Sequence, residues 1–220
     1  MTTVKIVRSV LEANDAVAAV NRKLLDEHHT LGVNLMSAPG SGKTTLLQET
    51  IPRLGHPCAV MVGDLQTTRD ADRLRVDSVA TVQINTGRGC HLSSTQVADG
   101  LAAIDLAGID FLFIENVGNM VCPASHDLGE HFRCVILSVP EGDDKVAKYP
   151  TIFQAADIIL VNKIDLAGIL DFSMQRVLDD LAQLNTAAPV LTLSARTGQG
   201  LDEWVQWLRQ KRSKRAAAAL

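Results

Sequence analysis

Val33-Asn34-Leu35-Met36-Ser37-Ala38-Pro39-Gly40-Ser41-Gly42-Lys43-Thr44-Thr45 is the stretch on which the fold turns. Its first four residues form a β-prone run, its middle is a glycine-rich loop, and Thr45 opens a stretch with helical spacing. A strand, a loop ending in Gly-Lys-Thr and then a helix is the context that a P-loop requires. The glycines let the backbone curl so that successive N–H groups face phosphates, and the helix N-terminus adds partial positive charge. Gly40, Ser41, Gly42, Lys43, Thr44 and Thr45 are therefore the expected phosphate-binding residues. Lys43 would reach the β- and γ-phosphates, and the Thr44 hydroxyl would ligate Mg²⁺. One position departs from the pattern: Ser37 stands where its first glycine belongs.

Outward from this loop the chain repeats one theme. Further β-rich runs are Ala59 to Val62, Thr81 to Ile84, Ile109 to Ile114, Cys134 to Val139, Ile158 to Val161 and Val190 to Leu193. Helical stretches alternate with them. Several runs are almost continuously apolar, as expected when helices cover both faces of a parallel sheet. The expected fold is α/β, a doubly wound and mostly parallel sheet of the P-loop NTPase type (a G-domain). Before it, Ser9 to His29 reads as an amphipathic helix, with Val10, Leu11, Val17, Val20, Leu24 and Leu25 at roughly helical spacing. The expected division is 1–31 as a helical segment packed on the G-domain, 32–210 as the GTPase domain, and 211–220 as a basic, alanine-rich tail without fixed structure.

Composition removes several function classes. A chain of 220 residues can bury its own core, and 21% charged with 46% hydrophobic residues is ordinary for a globular protein. A formal charge of −4 argues against a general nucleic-acid binder. No run approaches the about 18 apolar residues of a membrane span, and the first residues lack the apolar core of a signal peptide. Four cysteines in such a chain point to reduced thiols in the cytoplasm.

The base is chosen by Asn162-Lys163-Ile164-Asp165, directly after the apolar run Ile158 to Val161. This resembles the NKxD motif of G proteins, in which the aspartate accepts hydrogen bonds from guanine N1 and N2. Adenine lacks those donors, and a site built for them rejects it strongly. GTP and GDP are thus the expected nucleotides, and a small-molecule kinase is disfavoured. Ser194-Ala195-Arg196-Thr197-Gly198 resembles the loop that covers the O6 of the base. Glu115-Asn116-Val117-Gly118 stands where G proteins carry a DxxG switch, with the Gly118 N–H expected at the γ-phosphate. The longer glutamate suits a Mg²⁺ contact through water. Asp64, at the end of its strand, is a candidate for Mg²⁺ or for positioning the attacking water, with an ordinary turn cap as the alternative. The catalytic set is then Lys43, Asp64, Glu115 and Gly118, and the Mg²⁺ set is Thr44, Asp64 and Glu115. Asn119 occupies the place of the water-orienting glutamine of fast GTPases, so intrinsic hydrolysis should be slow.

The cysteines sort into two pairs. Cys58 and Cys134 open apolar strands and read as small core hydrophobes. Cys90 lies in a glycine-rich loop and is followed by His91, and Cys122 comes four residues after Gly118. Two thiolates and an imidazole suit Zn²⁺ or Ni²⁺, with room for a further ligand. The residues alone leave open whether these thiols hold a metal.

A family resemblance bears on that question. Asn85-Thr86-Gly87-Arg88-Gly89-Cys90-His91-Leu92 is similar to the NTGKGCHL stretch of HypB, a SIMIBI-class GTPase family that serves nickel insertion into hydrogenase. Ile114 to Ala124 resembles its IENVGNLVCPA stretch, and Glu141-Gly142-Asp143-Asp144-Lys145 with Lys148-Tyr149-Pro150 resembles EGDDKPLKYP. The likeness runs from about Asn34 to Gly200. It implies a GTP-hydrolysing metallochaperone that delivers nickel during [NiFe]-hydrogenase maturation, with metal affinity gated by the nucleotide. It further implies a GTP-dependent homodimer, a metal site of Cys90, His91 and Cys122, and partners among other maturation factors and the hydrogenase large subunit. The urease nickel GTPase, UreG, is the nearest alternative, but it carries a CPH triplet where Pro123-Ala124 follow Cys122 here. A regulatory G protein with no metal role is the other. Two features differ from many HypB chains. No cysteine precedes Cys58, and Cys90-His91-Leu92-Ser93-Ser94-Thr95 replaces the common CHLDAH, removing donors for a second ion.

Overall fold

The computed structural model describes residues 3–64, 79–87 and 89–218. Seven strands form one sheet: β1 Leu31–Ser37, β2 Cys58–Asp64, β3 Ala80–Asn85, β4 Phe111–Glu115, β5 Phe132–Ser138, β6 Ile158–Asn162 and β7 Val190–Thr192. Their order is β3-β2-β4-β1-β5-β6-β7, and every neighbouring pair is parallel. β1 is central and buried at every residue, as a strand covered on both faces must be.

Side-chain alternation along the strands divides the interior in two. Val33 and Leu35 of β1, Val60 of β2 and Phe113 of β4 pack with Leu46, Ile51, Trp204 and Leu208. Those last four belong to helix α2, Lys43–Leu54, and to the C-terminal helix, Leu201–Ala218. On the opposite face Met61, Leu112 and Ile114 meet Leu25, Val97 and Leu101. Beyond them Val135, Leu137 and Ile159 meet Phe153, Val177 and Leu181. Cys58 and Cys134 are both buried on the first of these faces. Because every strand runs the same way, all the strand C-terminal ends share one edge, and β1, β2, β3, β4, β6 and β7 release the candidate site residues there.

Two terminal features differ from the sequence reading. The N-terminal helix α1 spans Thr3–Glu27, and its buried stripe is Ala18, Asn21 and Leu25, while Val10 and Val20 are exposed. Contact there is backbone-close. A Cβ on Gly129 (φ +91) would lie 2.6 Å from the Ala18 carbonyl oxygen and 2.5 Å from Asn21 Cβ. Small residues permit that approach, and the Asn21 amide donates to the carbonyls of Ser94 (2.8 Å) and Leu128 (3.0 Å). The C-terminal helix also continues through residues 211–218, where a tail without fixed structure was expected. It is anchored by Arg212 to Asp110, by Arg215 to Asp26, and by the Lys211 ammonium 4.9 Å above the Phe132 ring.

Candidate functional site

The phosphate-binding loop leaves β1 at Ser37 and enters α2 at Lys43. Gly40 and Gly42 have φ of 74° and 100°, a region costly for any residue with a Cβ. At Gly42 such an atom would sit 2.7 Å from Asn162 Nδ2, so this glycine also admits the neighbouring loop. Lys43 is buried, and its ammonium donates to the Ser37 hydroxyl at 2.9 Å. The residue that departs from the loop pattern thereby becomes a polar rest for the lysine. Thr45, the third residue of α2, is exposed beside the loop.

The nominated magnesium residues come from adjacent elements. β4 pairs with β1, which places Leu35 opposite Glu115. The Thr44 hydroxyl donates to Glu115 Oε1 at 2.8 Å, and Glu115 is itself buried. A hydroxyl and a carboxylate in contact are hard oxygen donors of the type Mg²⁺ takes. Asp64 ends β2, one strand further out, and its side chain lies outside the described residues. Gly118 presses on the loop. A Cβ there would lie 2.8 Å from Pro39 Cα, so the segment after β4 meets the phosphate loop backbone to backbone.

Asn162, at the end of β6, ties three loops together. Its Nδ2 donates to the Ser41 carbonyl at 2.8 Å, and its Oδ1 accepts from the N–H groups of Lys163 (2.7 Å) and Ala195 (3.1 Å). Lys163 adopts a left-handed φ of 61° and donates to the Gly40 carbonyl at 2.6 Å. The two residues that looked like base readers thus organise the cradle. Asp165 is different: among the described residues its buried Oδ1 has no hydrogen-bond partner. It lines a cavity of about 360 Å³ with Gly42, Thr45, Asn162, Lys163, Ala195 and Arg196. A buried acceptor without a donor is costly, and a ligand presenting N–H groups would satisfy it. Ser194 is fully buried and shapes the loop above by accepting at its Oγ from the Thr197 N–H (3.2 Å).

Cys90 and His91 follow β3, and Cys122 starts a 3₁₀ turn, Cys122–Ser125, after β4. One donor atom from each of the three falls within 4.8 Å of the others. Cys90 Sγ lies 3.5 Å from His91 Nδ1. A hydrogen bond with Cys122 and then burial push the Cys90 thiol up. Burial and the neighbouring His126 hold His91 down, so its imidazole is neutral and able to ligate near neutral pH. A metal taking this set must displace thiol protons.

Sequence reasoning missed two residues here. Asn116 is 1% exposed, and its Oδ1 accepts from the N–H groups of Leu92 and Val117, both at 3.0 Å, while its Nδ2 donates to Asn34 Oδ1 at 3.3 Å. One amide therefore fastens the Cys90-His91 segment to the segment that runs from Glu115 to Cys122. The second is His126, four residues after Cys122, whose ring centroid lies 3.9 Å from that of His91. Its only signal in the sequence is the Cys-x₃-His spacing. Asn119 also has a place: its Oδ1 accepts from Val121 N–H at 2.7 Å and caps the turn that presents Cys122.

Comparison with known proteins gives a consistent picture. A family described as "CobW/HypB/UreG, nucleotide-binding domain" matches residues 32–192. The hydrogenase maturation factor HypB of Escherichia coli (strain K12) is 45% identical over 205 residues, spanning 92% of this chain and 71% of that protein. The hydrogenase/urease maturation factor HypB of Helicobacter hepaticus is 42% identical over 219 residues, spanning 96% and 89%. The crystal structure of HypB from Helicobacter pylori in complex with nickel superposes with a TM-score of 0.89 at 40% identity, covering 92% of this chain and 96% of that one.

Proposed function

This chain belongs to the HypB family, and from that premise we propose that it is a GTP-hydrolysing nickel metallochaperone acting in [NiFe]-hydrogenase maturation, with metal affinity set by the bound nucleotide. The observation that carries this reading is the continuity of one segment. Glu115 touches the P-loop threonine, Gly118 abuts Pro39, and Cys122, on the same stretch, meets Cys90 and His91.

GTP would lie along the strand ends, with Lys43 on the β- and γ-phosphates and Asp165 on guanine N1 and N2. Thr44 and Glu115 fit Mg²⁺, which supplies neutralisation of phosphate charge; Asp64 is a further candidate. Asn119 is occupied in capping its own turn, which supports slow intrinsic hydrolysis. Loss of the γ-phosphate would free the Gly118 region and shift Cys122 relative to Cys90 and His91, loosening the metal for transfer. Cys90, His91 and Cys122 supply sulfur and nitrogen donors that suit Ni²⁺ or Zn²⁺. The nickel-bound relative favours nickel as cargo. A homodimer favoured by GTP, and contacts with other maturation factors and the hydrogenase large subunit, complete the proposal.

The test is a set of Ni²⁺ and Zn²⁺ isotherms and sedimentation runs on protein held with GDP or with a non-hydrolysable GTP analogue. Metal affinity and mass should both change with nucleotide, the former by about 5- to 150-fold if coupling is of ordinary allosteric size. Identical isotherms in both states would reduce the chain to a GTPase and a metal site without a gate. A urease role has one kind of support, the naming of two Helicobacter relatives as hydrogenase/urease maturation factors. Deleting the gene and assaying both nickel enzymes separates the two clients.

A further inference from the structure

The N-terminal helix holds both segments that carry the proposed metal donors, at points just beyond those donors. We infer that α1 is a clasp that sets the position of the Cys90-His91 segment against the Cys122 turn, with Asn14 and Asn21 as positioning residues for metal binding. This rests on the metal-binding reading given above, and it concerns where the donors stand, whichever further ligands the ion takes.

Asn14 bridges the two segments directly. Its Oδ1 accepts from the Ser94 N–H at 3.0 Å, and its Nδ2 donates to the Asp127 carbonyl at 2.7 Å. Asn21, two turns further along the helix, repeats the bridge, since its Nδ2 donates to the carbonyls of Ser94 (2.8 Å) and Leu128 (3.0 Å). Ser94 answers by donating its hydroxyl to the Asn14 carbonyl at 2.8 Å. Arg22 adds two bonds to the Asp127 carboxylate, at 2.7 and 2.8 Å. Ser94 and Asn21 are buried, where a lost partner is not replaced by water.

The links from clasp to donors are short and stiff. Ser94 comes three residues after His91, and Asp127 five after Cys122. Between the first pair stand Leu92, fully buried, and Ser93, whose side chain caps the helix Ser94–Ala102. Between the second pair run the 3₁₀ turn and His126, whose ring Nδ1 lies 3.0 Å from the Cys122 carbonyl oxygen. Hydrogen bonds of this length do not survive a stretch of about 1 Å, so neither anchor point moves that far while α1 stays seated. Asn116 ties the same two segments from the sheet side, through Leu92 and through Asn34 of β1, whereas α1 ties them from outside. Displacing α1 therefore frees both segments together, by a route separate from the γ-phosphate.

The experiment uses the whole chain with Zn²⁺ and Co²⁺ as probes. Asn14→Leu removes both side-chain bonds at similar size in a part-buried position, and Asn21→Leu does the same at the buried one; GDP binding checks that each is folded. Asn14→Leu decides the matter if the buried substitution fails to fold. Leu181→Ala, on the helix Met174–Leu184 that packs against β5 and β6, lowers stability without touching the clasp. Competition against a chromophoric chelator should show Zn²⁺ held about 10- to 100-fold more weakly in Asn14→Leu, the size of effect that supporting groups have on metal affinity, and unchanged in Leu181→Ala. The Co²⁺ absorption spectrum, which reports ligand geometry, should change in the first variant and stay as in the parent in the second. Parent-like Zn²⁺ affinity or an unchanged Co²⁺ spectrum in Asn14→Leu, or an equal loss in Leu181→Ala, overturns the clasp and leaves the metal site standing. If Cys90→Ala and Cys122→Ala also bind like the parent, the site itself is misplaced and the inference falls with it.

Discussion

Replacing Asn116 with alanine should loosen the metal segment while leaving the nucleotide cradle intact. The side chain is 1% exposed and makes three hydrogen bonds, two at its Oδ1 and one at its Nδ2. Truncation leaves the Leu92 and Val117 N–H groups without that acceptor. A buried donor left unsatisfied costs about 1–3 kcal/mol. Val117 is the adjacent residue and can relax locally, whereas Leu92 is 24 positions away and fully buried. Asn34 loses one acceptor role but keeps its own donation to Glu130 Oε1 at 3.3 Å. The expected destabilisation is about 2–4 kcal/mol. With a urea m-value of about 2 kcal/mol per molar, the midpoint falls by about 1–2 M. Leu92 directly follows His91, so Cys90 and His91 lose their anchor and Zn²⁺ affinity should fall by about 10-fold or more. GDP affinity should hold, because the Asn116 side chain bonds to Leu92, Val117 and Asn34, which lie outside the phosphate loop. Urea unfolding followed by Trp204 and Trp207 fluorescence, with chelator competition and a GDP titration, reads all three quantities. An unchanged midpoint and an unchanged metal isotherm would refute the account of Asn116 as the fastening between the segments.

Three further outcomes are expected. Asp165→Asn should weaken GTP by about 10- to 100-fold, the loss of charged hydrogen bonds worth about 1.5–3 kcal/mol, and favour xanthosine nucleotides; calorimetry with both nucleotides decides it, equal GTP affinity being fatal. Cys90→Ala, His91→Ala and Cys122→Ala should each weaken Ni²⁺ and Zn²⁺ binding, while Cys58→Ala, whose thiol is buried and pushed up to about 12, should leave it unchanged. Stability should also fall in mild acid. Burial and the nearby Arg215 hold His131 down to about 4 from its ordinary 6.5, so the unfolded chain takes up a proton that the folded chain refuses. That stability is present above pH 6.5 and is lost as pH falls towards 4, by at most about 3 kcal/mol; His131→Gln should flatten the decline in urea midpoint between pH 7 and pH 5.

The sequence by itself determined the sheet, the P-loop between β1 and α2, the loop that follows β6, and the split of the cysteines into a buried pair (Cys58, Cys134) and an accessible pair (Cys90, Cys122). Each of these is a local signal. An apolar run such as Ile158 to Val161 can only be satisfied by burial on both faces, and Gly42-Lys43-Thr44 carries its conformational demand in adjacent residues. What only the tertiary structure decided depends on partners distant in the chain. Val10 and Val20 have the right period for the buried face of α1, yet Ala18 and Asn21 occupy it, because the backbone at Gly129 comes too close for larger side chains. Residues 211–218 read as a charged tail, yet they hold helix because Asp110, Asp26 and the Phe132 ring receive Arg212, Arg215 and Lys211. Asn162 resembles a base reader in the motif, yet its amide spans 121 positions to Ser41 and 33 to Ala195. Asn116 carries no special pattern of its own, and His126 only its Cys-x₃-His spacing from Cys122. They acquire a role only when parallel strands bring the Cys90 loop and the Cys122 turn to the same edge of the sheet, and a hydrogen bond or ring contact across that gap has no periodicity to betray it in the sequence.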